Sequence, residues 1–452
     1  MMDIYKIKKG LNIPLEGEAA LQVHDAKPVS EYALRPEDFG GITPKVVVKE
    51  GESVLVGTPL FVDKATERIK FVAPVSGTVT SVERGERRKL LAIHIKPDTS
   101  QMAKTFELPN LNQATSEEVI DLLLNSGIFA YLRQRPYDCV PMPDVMPKAI
   151  FVSAFSTMPL AANFSFVVQG QEETFKSGIS VLSKIAKVHV GVNPDQLNTS
   201  LLPINLPNVE VACFEGPNPT GNVGVQINHI SPINKGEVVW TLGAEEVLFL
   251  GRLIETGKVS FERIIALAGS EVAAPHYVHA KVGQPLGSII EGELKPSSHH
   301  VRIINGNPLV GSKARPTDFL GAHVTEVTVI PEGDDVNEVL GWIMPRFNQF
   351  STSRSYFSWL WGKKSYNLDS RIKGGERHMI MSAEYERVFP MDIYPSYLIK
   401  AIITGDIDRQ EALGIYEVAP EDFAVAEFIC SSKLELQRIV REGLEILRKE
   451  NA

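Results

Sequence analysis

A multidomain α/β chain is what this sequence predicts, and three patterns predict it. Short β runs punctuated by Gly and Pro fill residues 40–100. Strand-like and helix-like segments alternate from 149 to 257. A second β-rich stretch at 259–330 then gives way to helices. With 452 residues the chain has room for two to four domains of about 100–200 residues each. Apolar residues at 44% and charged residues at 22% suit several buried cores and exclude disorder as the dominant state.

The elements follow in order. Residues 44–49 are Val-rich, Gly51-Glu52 signals a turn, and Val54, Val56, Leu60 and Val62 partly alternate. Residues 69–79, a charged turn at 83–89 and a return strand at 90–95 complete a small barrel or sandwich. Thr115-Ser116-Glu117-Glu118 is a capping box that opens a helix over 119–125, with Gly127 as its stop. Strands at 149–155, 188–192 and 209–214 alternate with helices at 174–187 and 244–255, which predicts an open parallel sheet. Strands are expected again at 264–268, 300–304 and 323–330. The last helices fall at 395–404 and 432–450, the latter with Ser432 and Glu435 as a capping box and Leu436, Val440, Leu444 and Leu447 on one face.

Composition limits the function classes. A formal charge of −9 makes a general nucleic-acid binder a poor reading, because backbone phosphates demand a basic face. The three cysteines, Cys139, Cys213 and Cys430, are scattered; they fit a reducing compartment and are too few for an all-cysteine iron–sulfur cluster. The first residues lack an apolar signal core, and no apolar run approaches the roughly 20 residues that span a bilayer. A cytoplasmic location is expected.

Catalytic signatures are sparse. There is no HExxH, GxSxG or strand-following GxGxxG. Gly251…Gly257-Lys258-Val259 approaches a phosphate loop but has five residues between the glycines where four are needed. Gly257 reads better as a helix C-cap. His276 and His279, and the adjacent His299 and His300, lack partners at ligand spacing and read as solvated or core-edge histidines. The loop Gly216-Pro217-Asn218-Pro219-Thr220-Gly221-Asn222-Val223-Gly224 follows a strand, yet two prolines remove amide donors and the next segment looks extended. It is expected to be structural. Asp63-Lys64-Ala65, with Glu50-Gly51-Glu52 before it and Ala73-Pro74-Val75-Ser76-Gly77 after it, resembles the lysine tip of lipoyl and biotinyl carrier domains. Lys64 lies thirteen residues from both Gly51 and Gly77, but the flanking spacing departs from a carrier, so an unmodified scaffold is expected.

Several short segments, in a fixed order, carry a resemblance. They are Lys9-Gly10-Leu11-Asn12-Ile13-Pro14, Gly57-x-Pro59-Leu60-Phe61, Ala73-Pro74-Val75-Ser76-Gly77-Thr78-Val79 and Arg133-x-Arg135-Pro136-Tyr137. Further on come Ala149-Ile150-Phe151-Val152, Pro159-Leu160-Ala161-Ala162, Ala266-Leu267-Ala268-Gly269, Tyr385-Glu386-Arg387-Val388-Phe389-Pro390-Met391-Asp392-Ile393 and Leu413-Gly414. Together they resemble the NqrA family, a subunit of the Na⁺-translocating NADH:quinone reductase, over essentially the whole chain. That family is distantly similar to the C subunit of Rnf complexes and to the NADH- and FMN-binding subunit of respiratory complex I. Those relatives carry flavin or iron–sulfur centres; here Phe428-Ile429-Cys430-Ser431-Ser432 holds one cysteine where a cluster would follow.

The resemblance implies four regions: a barrel-sandwich (biotinyl/lipoyl-like) domain at 1–100, a Rossmann-like parallel sheet at 101–257, a soluble-ligand-binding β-grasp module at 258–330, and an aromatic, basic and helical C-terminal region at 331–452. It implies a peripheral subunit on the cytoplasmic face of the inner membrane, supporting quinone reduction coupled to Na⁺ export. No cofactor, metal or catalytic residue is assigned to this chain. NADH and quinone are the complex's substrates, flavins and iron–sulfur centres sit on other subunits, and the partners are those subunits, chiefly a membrane-embedded one, with quinone contact open and no nucleic acid. Two other readings remain: a lipoyl-type carrier fused to a ligand-binding module, and a soluble flavin-dependent dehydrogenase. The interface candidates are Trp342, Phe357, Trp359, Trp361, Lys363 and Lys364, because the chain has no acidic residue from 339 to 368 while aromatics and cations crowd there.

Overall fold

The computed structural model describes residues 2–451 except Asn112, Ile204, Ser297, Ser298, 337–339, 341–342, 362–363 and Ser382. Its centre is a six-stranded sheet in the order Asp3–Lys6, Val209–Glu215, Val188–Val192, Ile150–Ser153, Val239–Thr241, Arg133–Arg135. All neighbours are parallel except the last strand, which runs antiparallel at the edge. Successive residues of the central strands enter different cores. Ile150 and Val152 pack with the helices Glu172–Leu182 and Ala244–Thr256, whereas Ala149 and Phe151 pack with the C-terminal helices. That explains the unbroken apolar run in the sequence: a parallel strand is buried on both faces and shows no polar alternation.

The two helices on the first face touch through glycines. A Cβ on Gly178 would lie 2.5 Å from the Val247 carbonyl oxygen, and one on Gly251 would lie 2.0 Å from that of Thr174. Gly251 is therefore a helix-crossing residue, and Gly257 ends the helix in the left-handed conformation, as expected of a C-cap. The capping box at Thr115 and Glu118 opens the helix Ser116–Ser126, which Gly127 stops.

The sandwich pairs Tyr32–Leu34, Leu90–Pro97, Gly77–Arg84 and Ser53–Val54 in one sheet, and Pro44–Val46, Pro59–Asp63 and Lys70–Val72 in the other. Phe61 and Phe71 stack with ring centres 4.6 Å apart in its core. The β-grasp sheet runs Ser312–Ala314, Val301–Asn305, Glu326–Pro331, Glu262–Ala268, His276–Lys281, Ala20–Asp25, with the short helix Gly287–Ile290 beside it. Its own core includes Ile265, Leu267, Leu286, Ile303 and Val329.

Three details differ from the sequence reading. The opening residues do not stay with the sandwich: Asp3–Lys6 completes the parallel sheet and Ala20–Asp25 edges the β-grasp sheet. The latter strand is almost wholly exposed, so it carries no alternating apolar signal to read. Val223–Ile230 is a helix, not an extended segment, because burial of Val225 and Ile227 against the sheet overrides the weak helix preference of β-branched residues. The last helix is Leu436–Glu450 and starts without a side-chain cap; Ser432 donates instead to the His378 carbonyl. Its apolar face, Leu436, Val440, Leu444 and Leu447, is buried as expected.

Gly251→Ala should lower the unfolding free energy by about 2–3 kcal/mol, since neither helix backbone has room to yield. Gly375→Ala, which meets nothing within 4 Å, should stay within about 0.5 kcal/mol of the parent in the same urea titration.

Candidate functional site: the crevice at the sheet's switch point

The strand Ile150–Ser153 continues to Val188–Val192 on one side, while the sheet resumes at Val239–Thr241 on its other side. Strand order reverses there, and ligands of open α/β sheets bind beyond the carboxyl ends of such strands. A cleft of about 790 Å³ opens at that point. All four regions line it: Asp38 from the sandwich, Glu245 from the α/β layer, Glu326 from the β-grasp sheet and Glu421 from the C-terminal helices.

Neither phosphate position of a nucleotide fold is open. The turn after the first strand, Ala154-Phe155-Ser156-Thr157-Met158-Pro159, has no glycine and leads into the single-turn helix Phe164–Val167. In the loop after Val209–Glu215, four amides are used within the chain and two prolines supply none. Asn218 donates to the Asn12 side chain and Gly221 to Thr157 Oγ1, both at 2.9 Å, while Thr220 and Asn222 bond the carbonyls of Pro217 and Pro219. At the N-terminus of the following helix, both Asp422 carboxylate oxygens stand 2.6 Å from where a Cβ on Gly224 would be. At the N-terminus of Ala244–Thr256, the carboxylate of Glu246 folds back over Gly243. Each helix thus meets a resident carboxylate where an anionic ligand would sit.

Two buried arginines hold these carboxylates. Arg135 donates to Asp422 at 2.5 Å, to Glu421 at 2.9 Å and to the Glu417 carbonyl at 3.0 Å. Burial opposes the Arg135 charge, but Asp422 and Glu421 more than reverse that and raise its pKa. Burial, against the pull of Arg135, pushes Glu421 up to about 7. Arg263 lies between Glu246 at 2.7 Å and Glu245 at 3.4 Å, over the Phe249 ring. Burial drives Glu245 up to about 8. Glu246 is also buried, yet Arg263 and a hydrogen bond with His323 hold it well below the usual carboxylate range. His323 is pushed down to about 4, first by burial and then by Arg133, so it is neutral at pH 7. Burial also raises Asp38 and Glu326. At the two helix N-termini, then, this crevice presents carboxylates and not open amides, although Arg133, Arg441 and Arg448 also reach its wall.

Residues 5–98 match the NqrA N-terminal barrel-sandwich hybrid domain, 114–259 the NqrA second alpha/beta domain, and 264–315 the NQRA C-terminal domain. The NqrA subunit of the Na(+)-translocating NADH-quinone reductase of Pasteurella multocida (strain Pm70) is 37% identical over 448 residues, 98% of this chain and 99% of that one. The chain belongs to that family. The same subunit from Hahella chejuensis is 37% identical, and that from Neisseria meningitidis serogroup B 35%, each over 98% of this chain and 99% of theirs. A solved NAD+-reducing [NiFe]-hydrogenase shows only a weak likeness, with a TM-score of 0.39 at 12% identity over 77% of this chain and 66% of that one.

The family's first domain presents Lys64 on the exposed turn between Pro59–Asp63 and Lys70–Val72. Asp63 beside it shapes the turn by accepting from the amides of Thr43 and Ala65. Of the interface candidates, Trp342 and Lys363 lie outside the described residues, as does the Trp361 side chain. Phe357 and Trp359 are about half exposed, at 50% and 47%, and Lys364 lies 5.9 Å from the Tyr366 ring centre. Tyr366 itself is buried and joins the body of the chain, its amide bonded to the Pro14 carbonyl. The aromatic stretch is therefore anchored at one end and exposed at the other. His276 is buried and bonded to the Ala274 carbonyl, and among the described residues no group of three His, Cys, Asp or Glu is placed to hold a metal.

The buried pairs escaped the sequence reading. Arg135 meets Asp422 across 287 positions, which no local pattern announces, and Glu245 and Glu246 stand in a first helical turn, where acids are common and signal no buried partner.

Asp422→Ala should cost about 3 kcal/mol in urea unfolding by leaving the buried Arg135 charge half-paired. Glu245 and Glu421 keep their protons in the folded chain at pH values where the unfolded chain has released them. Their contribution is present in full below about pH 4.3, the unfolded value, and is lost as pH rises through about 7 to 8. The melting temperature should fall between pH 6 and pH 8, and Glu245→Gln should flatten that decline.

Proposed function

We propose that this chain serves as the NqrA component of a Na⁺-translocating NADH:quinone reductase, peripheral to the membrane on the cytoplasmic face of the inner membrane. The observation that carries this is collinear identity of 37% with a subunit of that complex over 98% of the chain. NADH and quinone are substrates of the whole complex, and its flavins and iron–sulfur centres belong to other subunits. The chain itself acts as a scaffold that leaves NADH to them. Two features support that division: carboxylates stand at both helix N-termini of the crevice, and no dinucleotide fingerprint follows the first strand. Residues 342–366 are its membrane-side contact, with Trp342, Phe357, Trp359, Trp361, Lys363 and Lys364 as the contact residues. Among the described residues no helix is long and apolar enough to cross a membrane, which suits attachment through such a surface.

Purifying the complex with and without this chain tests the reading. Omission should abolish Na⁺-dependent quinone reduction by NADH, and the isolated chain should give no calorimetric signal with NADH. Unchanged quinone reduction in the depleted complex would refute the assignment.

The exposed position of Lys64 favours one competing reading, the carrier domain. The intact mass of the chain should equal that of its sequence, and Lys64→Ala should keep turnover of the assembled complex within about twofold, a barrier change below about 0.5 kcal/mol. Loss of turnover with assembly intact would revive the swinging arm.

A further inference from the structure

The aromatic stretch folds into a loop with an anchored base and an apolar tip. At the base, Phe350 packs against Tyr366 at 5.6 Å and Phe428 at 6.1 Å, and the Glu16 amide bonds the Tyr366 carbonyl. At the tip, the Phe357 amide bonds the Pro345 carbonyl and the Phe347 and Phe357 rings approach to 6.1 Å. Ile343, Met344, Phe347, Phe357, Trp359 and Leu360 are each between 47 and 61% exposed. So many large apolar side chains in one short loop mark a contact surface. The cations beside them rest on aromatic faces. Arg346 lies 5.6 Å from the Tyr356 ring centre and Arg354 5.3 Å from that of Trp359. The sequence from 339 to 368 supplies no carboxylate to turn an anionic surface away.

We propose that this tip enters an anionic lipid bilayer directly, its apolar side chains reaching the boundary of headgroups and acyl chains while Arg346, Arg354 and Lys364 meet lipid phosphates. The proposal rests on reading the chain as a peripheral component of a membrane complex, and it names that contact as lipid. Three properties favour lipid over a protein partner. The tip has only the 3₁₀ turn Phe357–Trp361 for regular structure among its described residues, so it offers neither a helix groove nor a strand edge. Its aromatics are amphipathic or flanked by cations, as at a membrane interface. Its charge is of one sign over thirty positions, which complements a sheet of phosphates.

The test uses the purified full chain and vesicle sedimentation. The chain should pellet with mixed phosphatidylcholine–phosphatidylglycerol vesicles, less with phosphatidylcholine alone, and less again in about 0.5 M salt. Phe357→Ser with Trp359→Ser should weaken binding by about tenfold or more, with a melting temperature within about 2 °C of the parent. Arg354→Glu with Lys364→Glu should erase the preference for the anionic lipid. In detergent, the serine variant should still copurify with the rest of the complex. Failure of the parent chain to pellet with anionic vesicles would overturn the lipid contact. So would loss of copurification in detergent, which would assign the tip to a protein partner. Neither result touches the place of the chain in the complex, which stands or falls on quinone reduction by the depleted complex.

Discussion

A parallel sheet is apolar on both faces, and this chain has to cover both. Its own crossover helices, Glu172–Leu182 and Ala244–Thr256, cover the face that carries Ile150, Val152 and Trp240. The other face carries Ala149, Phe151, Phe214 and Val239, and besides Val223–Ile230 it is the C-terminal helices that close it, through Phe389, Leu398, Leu436 and Leu444. The C-terminal region is therefore half of the sheet's hydrophobic core and not an appended module. Burial of this kind is worth roughly 25 cal/mol per Å² of apolar surface, so losing that layer would expose the sheet to water at a cost no surface contact offsets.

The same constraint decides what the crevice can hold. With the last helices laid on the sheet, residues 417–422 come to rest against Arg135 and the start of Val223–Ile230. Asp422 then occupies the helix terminus that a nucleotide phosphate would need, while Glu246 does so at Ala244–Thr256. A fold with the switch point of a nucleotide site has had its anion positions filled from within. The architecture of a nucleotide fold survives here because it is a stable way to bury a sheet, and its ligand chemistry does not follow automatically.

How far the sequence could be read depended on the range of each interaction. Local chemistry was legible: Thr115 and Glu118 cap their helix, Gly127 and Gly257 stop theirs, and the central strand shows as the unbroken apolar run 149–152. Interactions between distant segments were not. The helix Val223–Ile230 follows a proline-rich loop and owes its form to burial against a sheet that the local sequence does not contain. Asp3–Lys6 and Ala20–Asp25 add to sheets whose neighbouring strands lie hundreds of residues away, and exposed edge strands carry no period-two signal. The aromatic stretch fell between these cases: its composition marked it, but only the fold separates the buried Tyr366 from the exposed Phe357.

The polarity of the crevice follows from how the buried charges are counted. Two buried arginines each face two acids: Arg135, on the cleft wall, faces Glu421 and Asp422, and Arg263, behind it, faces Glu245 and Glu246. One guanidinium faces two carboxyls in each group, so one acid of each is pushed toward its protonated form. In the Arg263 group the division is explicit, with Glu246 held low by the closer contact and Glu245 raised to about 8. In the other group Glu421, raised to about 7, is the acid that yields. Two further acids on the cleft wall, Asp38 and Glu326, are raised by burial, against Arg35 and the Ala322 amide at Asp38 and against hydrogen bonds that Ala162 and Asn307 donate to Glu326. At the meeting point of the four regions burial thus raises Glu245, Glu421, Asp38 and Glu326 together, while Arg133, Arg135, Arg441 and Arg448 on the same wall supply charge of the opposite sign, so the cleft is a mixed polar surface and not a purely anionic one.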